Sequence, residues 1–179
     1  MNVLDNLKHL SISQVREYCV SRTIPFRAAM THISSDFNLS TVIRNANFFG
    51  LMEVFYIGGA KQWDRRGSVG THHYTPLSFY RTEEEFVEMI IEKDYKLISI
   101  ENNVNYHMES LYNFTFPIDS VILFGEEMKG ISDYLLQRSS YIVTIPAFGS
   151  VRSLNVGTTS GIVMSRIREN RLTNTTTDL

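Results

Sequence analysis

A chain of 179 residues, 43% hydrophobic and 20% charged, has the size and balance of one globular domain able to bury roughly 70% of its extended-chain surface. A net charge of −2 is far from the basic balance of a protein that binds nucleic acid over a whole face, so any such surface must be local. The single cysteine, Cys19, excludes an internal disulfide, no His/Cys cluster has metal-site spacing, and no apolar run reaches the roughly 18 residues of a membrane span, so a cytoplasmic setting with no membrane and no metal is expected.

Residues 1–24 read as a polar helical arm with a loose apolar stripe of Leu4, Leu7, Leu10, Val15 and Cys19. PFRAAMTHI, residues 25–33, reads as a strand, and SSDFN supplies N-caps for a helix from Leu39 to Phe49 that stops at Gly50. MEVFYIGG, 52–59, is a second strand. The polar stretch AKQWDRRGSVGTHHY that follows is a long loop of the kind that carries function. Thr82 with Glu85 three residues later has capping-box spacing, and Phe86, Met89 and Ile90 recur at helical spacing, which predicts a helix over 82–94.

YKLISIE is then a strand, and SVILFGEE, 120–127, is apolar enough for a central strand of a parallel sheet. YIVTIP, 141–146, is another strand, and a helix over 155–169 closes the core. The alternation predicts an α/β domain, a mostly parallel sheet with flanking helices, over residues 25–170. The tail, 171–179, has little apolar content and is expected to be disordered.

In open α/β sheets ligands bind beyond the carboxyl ends of the strands, and three informative stretches fall there. In the first, Asn38 and Arg44 suit either a helix start with a solvated cation or a fixed guanidinium presented to a phosphate. In the second, Gly125 lets main chain approach a ligand, while Glu126 and Glu127 are either first-turn acids of a short helix or orienting carboxylates. Neither a phosphate P-loop nor a dinucleotide fingerprint is present. In the third, IPAFGSVRSLN, a capping Asn155 is worth about 1 kcal/mol but explains one residue of a loop that also holds Pro146, Gly149, Arg152 and Ser153. Local basic residues are Arg44, Lys61, Arg65, Arg66 and Arg152. His72 and His73 are adjacent and in an extended strand would point to opposite sides, which argues against a shared metal.

Together and in this order, the three stretches resemble the signature motifs of the SpoU, or TrmH-type, branch of the SPOUT RNA methyltransferases, over roughly residues 26–168. Asn38, Arg44, Phe49 and Gly50 match the first motif. Gly125, Glu127 and Gly130 match the second, and Ile145, Pro146, Gly149, Ser153, Leu154, Asn155 and Val156 the third. Ala147 stands where a Met is common, and GTTSG replaces the usual small-residue run; neither change removes a polar functional group.

The resemblance implies a deep C-terminal trefoil knot, an exception to the avoidance of knots. It implies S-adenosylmethionine bound by backbone near Gly125, Ile145, Ser153 and Leu154, with the strand end at Ile100 closing the pocket. It further implies a homodimer and methyl transfer to a ribose 2′-hydroxyl of RNA, tRNA ahead of rRNA. Arg44, Asn38, Glu127, Ser153 and Asn155 would be the catalytic set, and Arg44, Lys61, Arg65, Arg66 and Arg152 the RNA contacts. The alternatives are a silent RNA-binding knot protein and a methyltransferase for an RNA base; the donor-pocket residues speak against the first, and Arg44 with Ser-Leu-Asn against the second.

Overall fold

The computed structural model of the chain describes residues 3–31, 37–58, 63–102 and 104–176. Within these residues seven strands form one sheet: β1 (Ile24–Met30), β2 (Leu51–Ile57), β3 (Leu77–Tyr80), β4 (Lys96–Ile100), β5 (Glu109–Ser110), β6 (Ser120–Phe124) and β7 (Tyr141–Thr144). Their order is β3-β2-β1-β6-β4-β7-β5, and every neighbouring pair is parallel. The chain moves outward from β1 through β2 to β3, then crosses to the other side, where β6 later inserts between β1 and β4.

Among the described residues, five α-helices accompany the sheet: α1 (Ile12–Val20), α2 (Phe37–Phe49), α3 (Glu83–Glu92), α4 (Asp133–Leu136) and α5 (Val156–Thr176). On one face, Leu39, Val42, Ile43 and Ala46 of α2 and Val163, Met164 and Ile167 of α5 pack on alternate residues of the strands. On the other, Phe86, Val87 and Ile90 of α3 join Leu135 and Leu136 of α4. The molecule is thus helix, sheet, helix in three layers. Complete burial of each large apolar side chain contributes roughly 1.5–3 kcal/mol to closing these layers.

Strand β6 is buried at all five positions, as a central parallel strand must be. Gly50 ends α2 at φ +72°, and its carbonyl receives the Ile24 N–H at 2.8 Å, tying the helix end to the start of β1. Thr82 caps α3 by accepting from Glu85 N–H at 3.2 Å; the Glu85 carboxylate turns instead to Arg81 N–H, so the box is one residue wider than its spacing predicts.

Several expectations need correction. Strands β3 and β5 leave no clear mark in the sequence, because they are four and two residues long and only half-buried. Helix α5 extends to Thr176, and Thr173 Oγ1 donates to the carbonyls of Glu169 and Asn170 in its last turns. Glu126 and Glu127 do not open a helix: Glu126 pairs with Gly130 across a tight turn, and α4 starts later, at Asp133, behind a Ser132 cap. The His72 and His73 rings lie 4.1 Å apart, tilted by 39°, within a helical turn instead of diverging from a strand. Ser34, Ser35 and Asp36, expected N-caps of α2, lie outside the described residues.

Residues 63–74 form a packed segment, with Ser68, Thr71 and Tyr74 buried. A Cβ on Gly67 would sit 2.8 Å from Ser40 Cβ, so the segment lies directly on α2. Leu7 and Val15 of the N-terminal arm pack on Tyr74, which joins the arm to this segment.

Candidate active site

Strands β4, β6 and β7 end side by side, and a cavity of about 590 Å3 opens beyond them. This is the size of a small-molecule site, at the edge where parallel sheets bind ligands. Its wall includes Ile100, Gly125, Ile145, Ser153 and Leu154, all five of the residues expected to hold a donor. Arg152, Glu127 and Asn155 line it as well.

The close backbone approach is built into the turn after β6. A Cβ on Gly125 would lie 2.4 Å from the carbonyl carbon of Gly130, and Gly130 itself stands at φ +67°. Gly130 N–H closes the turn on the Glu126 carbonyl at 2.9 Å, and Thr31 Oγ1 receives the Glu126 N–H at 3.2 Å. The Glu126 side chain is largely enclosed and faces Lys129 Nζ at 3.6 Å.

Three distant segments meet at Asn155. Its side-chain amide donates to Asn38 Oδ1 at 3.1 Å and to Glu127 Oε1 at 2.5 Å. Its Oδ1 accepts the Thr158 N–H at 3.2 Å and so caps α5. One asparagine therefore uses both halves of its amide, one for the helix and one for the site.

The helices that bring Asn38 and Asn155 together are held close. A Cβ on Gly157 would be 2.8 Å from Thr41 Cγ2, and Asn45 Nδ2 donates to Gly157 O and Ser160 Oγ, each at 2.9 Å.

Arg44 is exposed on α2, roughly 9 Å along the helix axis from Asn38, and does not line the cavity. Among the described residues it has neither a hydrogen bond nor an ion-pair partner. Arg65 lies over the Trp63 ring at 5.9 Å, and Arg66 lies over Phe37 at 5.1 Å. Arg66 also forms an ion pair with Asp64 at 2.5 Å, and its hydrogen bonds hold the Asp64 carboxyl below the usual carboxylate value. Burial, followed by the charges of His73 and Arg65, pushes the His72 imidazole below its ordinary value. His72 Nδ1 lies 2.6 Å from Ser68 Oγ. Lys61 lies outside the described residues.

Glu101 and Asn102, which directly follow β4, also line the cavity, although no motif singles them out. Their only signal is a polar pair immediately after Ile100 at the ligand-binding edge of the sheet. Among the described residues, no group of three or more His, Cys, Asp or Glu side chains could hold a metal ion, and no helix is long and apolar enough to cross a membrane.

An open parallel sheet, a small-molecule cavity at its carboxyl edge and an asparagine-centred polar junction define the class as an α/β ligand-binding domain. Residues 25–165 match the model of the SpoU rRNA Methylase family, and the chain belongs to that family.

It is 22% identical over 162 residues to the tRNA (guanosine(18)-2'-O)-methyltransferase of Thermus thermophilus, across 89% of this chain and 82% of that protein. The protein of the same name from Escherichia coli K12 is also 22% identical, over 89% of this chain and 69% of its own length. Among solved structures, the A. aeolicus TrmH/SpoU tRNA modifying enzyme superposes with a TM-score of 0.79 at 16% identity, covering 91% of this chain and 83% of that one. The SpoU methyltransferase AviRb from Streptomyces viridochromogenes, in complex with AdoMet, gives 0.76 at 20% identity, with 86% and 64% covered.

Proposed function

We propose that this chain is an S-adenosylmethionine-dependent methyltransferase that acts on a ribose 2′-hydroxyl of structured RNA, tRNA ahead of rRNA, in the cytoplasm. The observation that carries the reading is the Asn155 amide, which joins Asn38 to Glu127 at the rim of a small-molecule cavity. The names of the similar Thermus and Escherichia proteins support ribose methylation and tRNA, and the AdoMet complex of AviRb supports the donor.

The residues present fit that donor. The cavity is large enough, and the close pass of Gly125 over Gly130 offers main chain where any side chain would collide. Gly125, Ile145, Ser153 and Leu154 would hold the donor, with Ile100 closing the pocket. When bound, the donor supplies a methyl group on a positively charged sulfonium, which is already a good leaving group.

The chain's own task is alignment and charge. Orienting the hydroxyl oxygen in line with the methyl can contribute roughly 7–11 kcal/mol. Asn155, held by Glu127 and Asn38, fixes the loop that carries Ser153 and the start of α5. Arg44, exposed and unpaired among the described residues, clamps an RNA phosphate next to the reacting ribose. A free guanidinium is too weak a base to take the hydroxyl proton by itself, so Arg44 acts together with the phosphate it holds. Arg65, Arg66, Arg152 and Lys61 extend the contact along the RNA backbone, and Trp63 beside Arg65 offers a stacking surface.

The reading includes a deep trefoil knot in the segment that leads into α5, and a homodimer in which α2 and α5 pack across a two-fold axis. Exposed Phe37 and Phe48 on α2 and Ile162 on α5 support such a face.

The test is incubation with tritiated S-adenosylmethionine and separate pools of unmodified tRNA and rRNA. Label in the tRNA pool is expected. Donor binding with no label in either pool would defeat the proposed substrate, and no donor binding would favour a silent RNA-binding scaffold.

A further inference from the structure

The end of β4 is tied to both loops that frame the cavity. Glu101 Oε2 accepts the N–H of Ile131 at 3.1 Å, across the site, while its Oε1 accepts the N–H of Asn102 at 2.8 Å. The same Oε2 lies 2.6 Å from the place a Cβ on Gly130 would occupy, so the carboxylate rests against the turn that closes on Gly125. Asn102 reaches the other way. Its Nδ2 donates to Ile145 O at 3.4 Å and its Oδ1 accepts from Thr144 Oγ1, at the end of β7.

Both residues line the cavity and are half-buried. Among the described residues Glu101 has no cationic partner; its carboxylate is committed to main-chain donors on both oxygens. A charged acceptor in two such bonds is among the stronger hydrogen-bonding arrangements available to a loop.

We propose that Glu101 and Asn102 form a brace that sets the spacing between the Gly125–Ile131 turn and the loop after β7, and thereby the affinity for the methyl donor. They are positioning residues: Glu101 acts through the turn, and Asn102 through Ile145 O. The inference rests on the reading of the cavity as the donor site. It follows from geometry that the sequence hides, since a brace between residues 101, 131 and 145 joins the ends of β4 and β7 to the turn after β6, which are adjacent only in the folded sheet.

The variants are E101Q and N102A. In E101Q the side chain keeps its shape, but its amide presents a donor to one of two main-chain donors, so one bond is lost. Calorimetric titration with S-adenosylmethionine is expected to show affinity about tenfold lower for E101Q, the equivalent of roughly 1.4 kcal/mol, and several-fold lower for N102A. Binding of unmodified tRNA without donor stays within about twofold of wild type, and S-adenosylhomocysteine weakens by the same factor as the donor, because the brace acts on the loops and not on the sulfonium.

Wild-type donor affinity in both variants overturns the brace. So does a loss confined to S-adenosylmethionine, which would mean a direct charge effect of Glu101, and so does a parallel loss of donor and RNA binding in variants that melt like wild type. If E101Q does not fold, N102A decides by the same criteria. Failure of the wild-type protein to bind the donor defeats the reading of the cavity, and is seen before either variant is made.

Discussion

Asn155 and Asn38, 117 positions apart in the chain, are joined by a 3.1 Å hydrogen bond between their side-chain amides. That bond couples the first turn of α2 to the first turn of α5, and through Glu127 to the turn after β6. A cap alone would need the Asn155 Oδ1 and nothing more; the engaged Nδ2 is what turns a helix start into part of a site.

Asn155→Ala removes the cap and both bridging bonds together. The cap is worth about 1 kcal/mol, which lowers the melting temperature of a chain this size by roughly 2–4 °C. Methylation is expected to fall by more than about tenfold, beyond what that modest loss of stability explains. Thermal unfolding and turnover, measured on the same preparation, check the pair of effects.

Arg44→Ala is expected to reduce turnover by about two orders of magnitude, roughly 2.7 kcal/mol of transition-state stabilisation. Donor affinity stays within about twofold, because Arg44 does not line the cavity. Single-turnover kinetics with saturating donor separate the two quantities, and near-normal methylation would remove Arg44 from the mechanism.

Gly125→Ala places a methyl group 2.4 Å from the Gly130 carbonyl carbon, a distance main chain cannot accept. The turn must shift, at a cost of about 1–3 kcal/mol, and the donor pocket is deformed with it. Calorimetry is expected to find no measurable donor binding by a protein that still shows the circular dichroism of the α/β fold.

His72 gives the stability a pH dependence of known sign. Burial, His73 and Arg65 place its folded value below the ordinary 6.5, so the unfolded chain binds the proton more readily. Its neutral form supports the fold above about pH 6.5, and that support is lost as pH falls below it. Melting temperatures measured from pH 7.5 down to 5.5 should decline, and His72→Gln should flatten the decline.

The sequence is most legible where periodicity and caps are strong. The buried run of β6, the Gly50 stop of α2, the Thr82 cap of α3 and the Asn155 cap of α5 all appear in the structure. Short edge strands such as β3 and β5 leave too few residues for alternation to register. Strand order is also hidden, since the insertion of β6 between β1 and β4 is a long-range choice.

The same limit applies to the site. Motif resemblance brings out Asn38, Glu127 and Asn155, but not that one amide would bond the other two. Glu101 and Asn102 look like an ordinary polar strand end until the neighbouring strands are in place. The stretch from Trp63 to Tyr74 reads as a free polar loop because its buried residues are mostly small or polar; Ser68 and Thr71 carry no hydrophobic signal, yet both are enclosed.

The central claim is methyl transfer to a ribose hydroxyl, and its most direct test is the identity of the product nucleoside. Unmodified tRNA is incubated with the protein and S-adenosylmethionine, digested, and analysed by mass spectrometry with fragmentation of each methylated nucleoside. One 2′-O-methylated nucleoside is expected, with the added mass of one CH2 retained on the sugar fragment, as substitution of the hydroxyl hydrogen by a methyl group requires. A methyl group found on the base would contradict it.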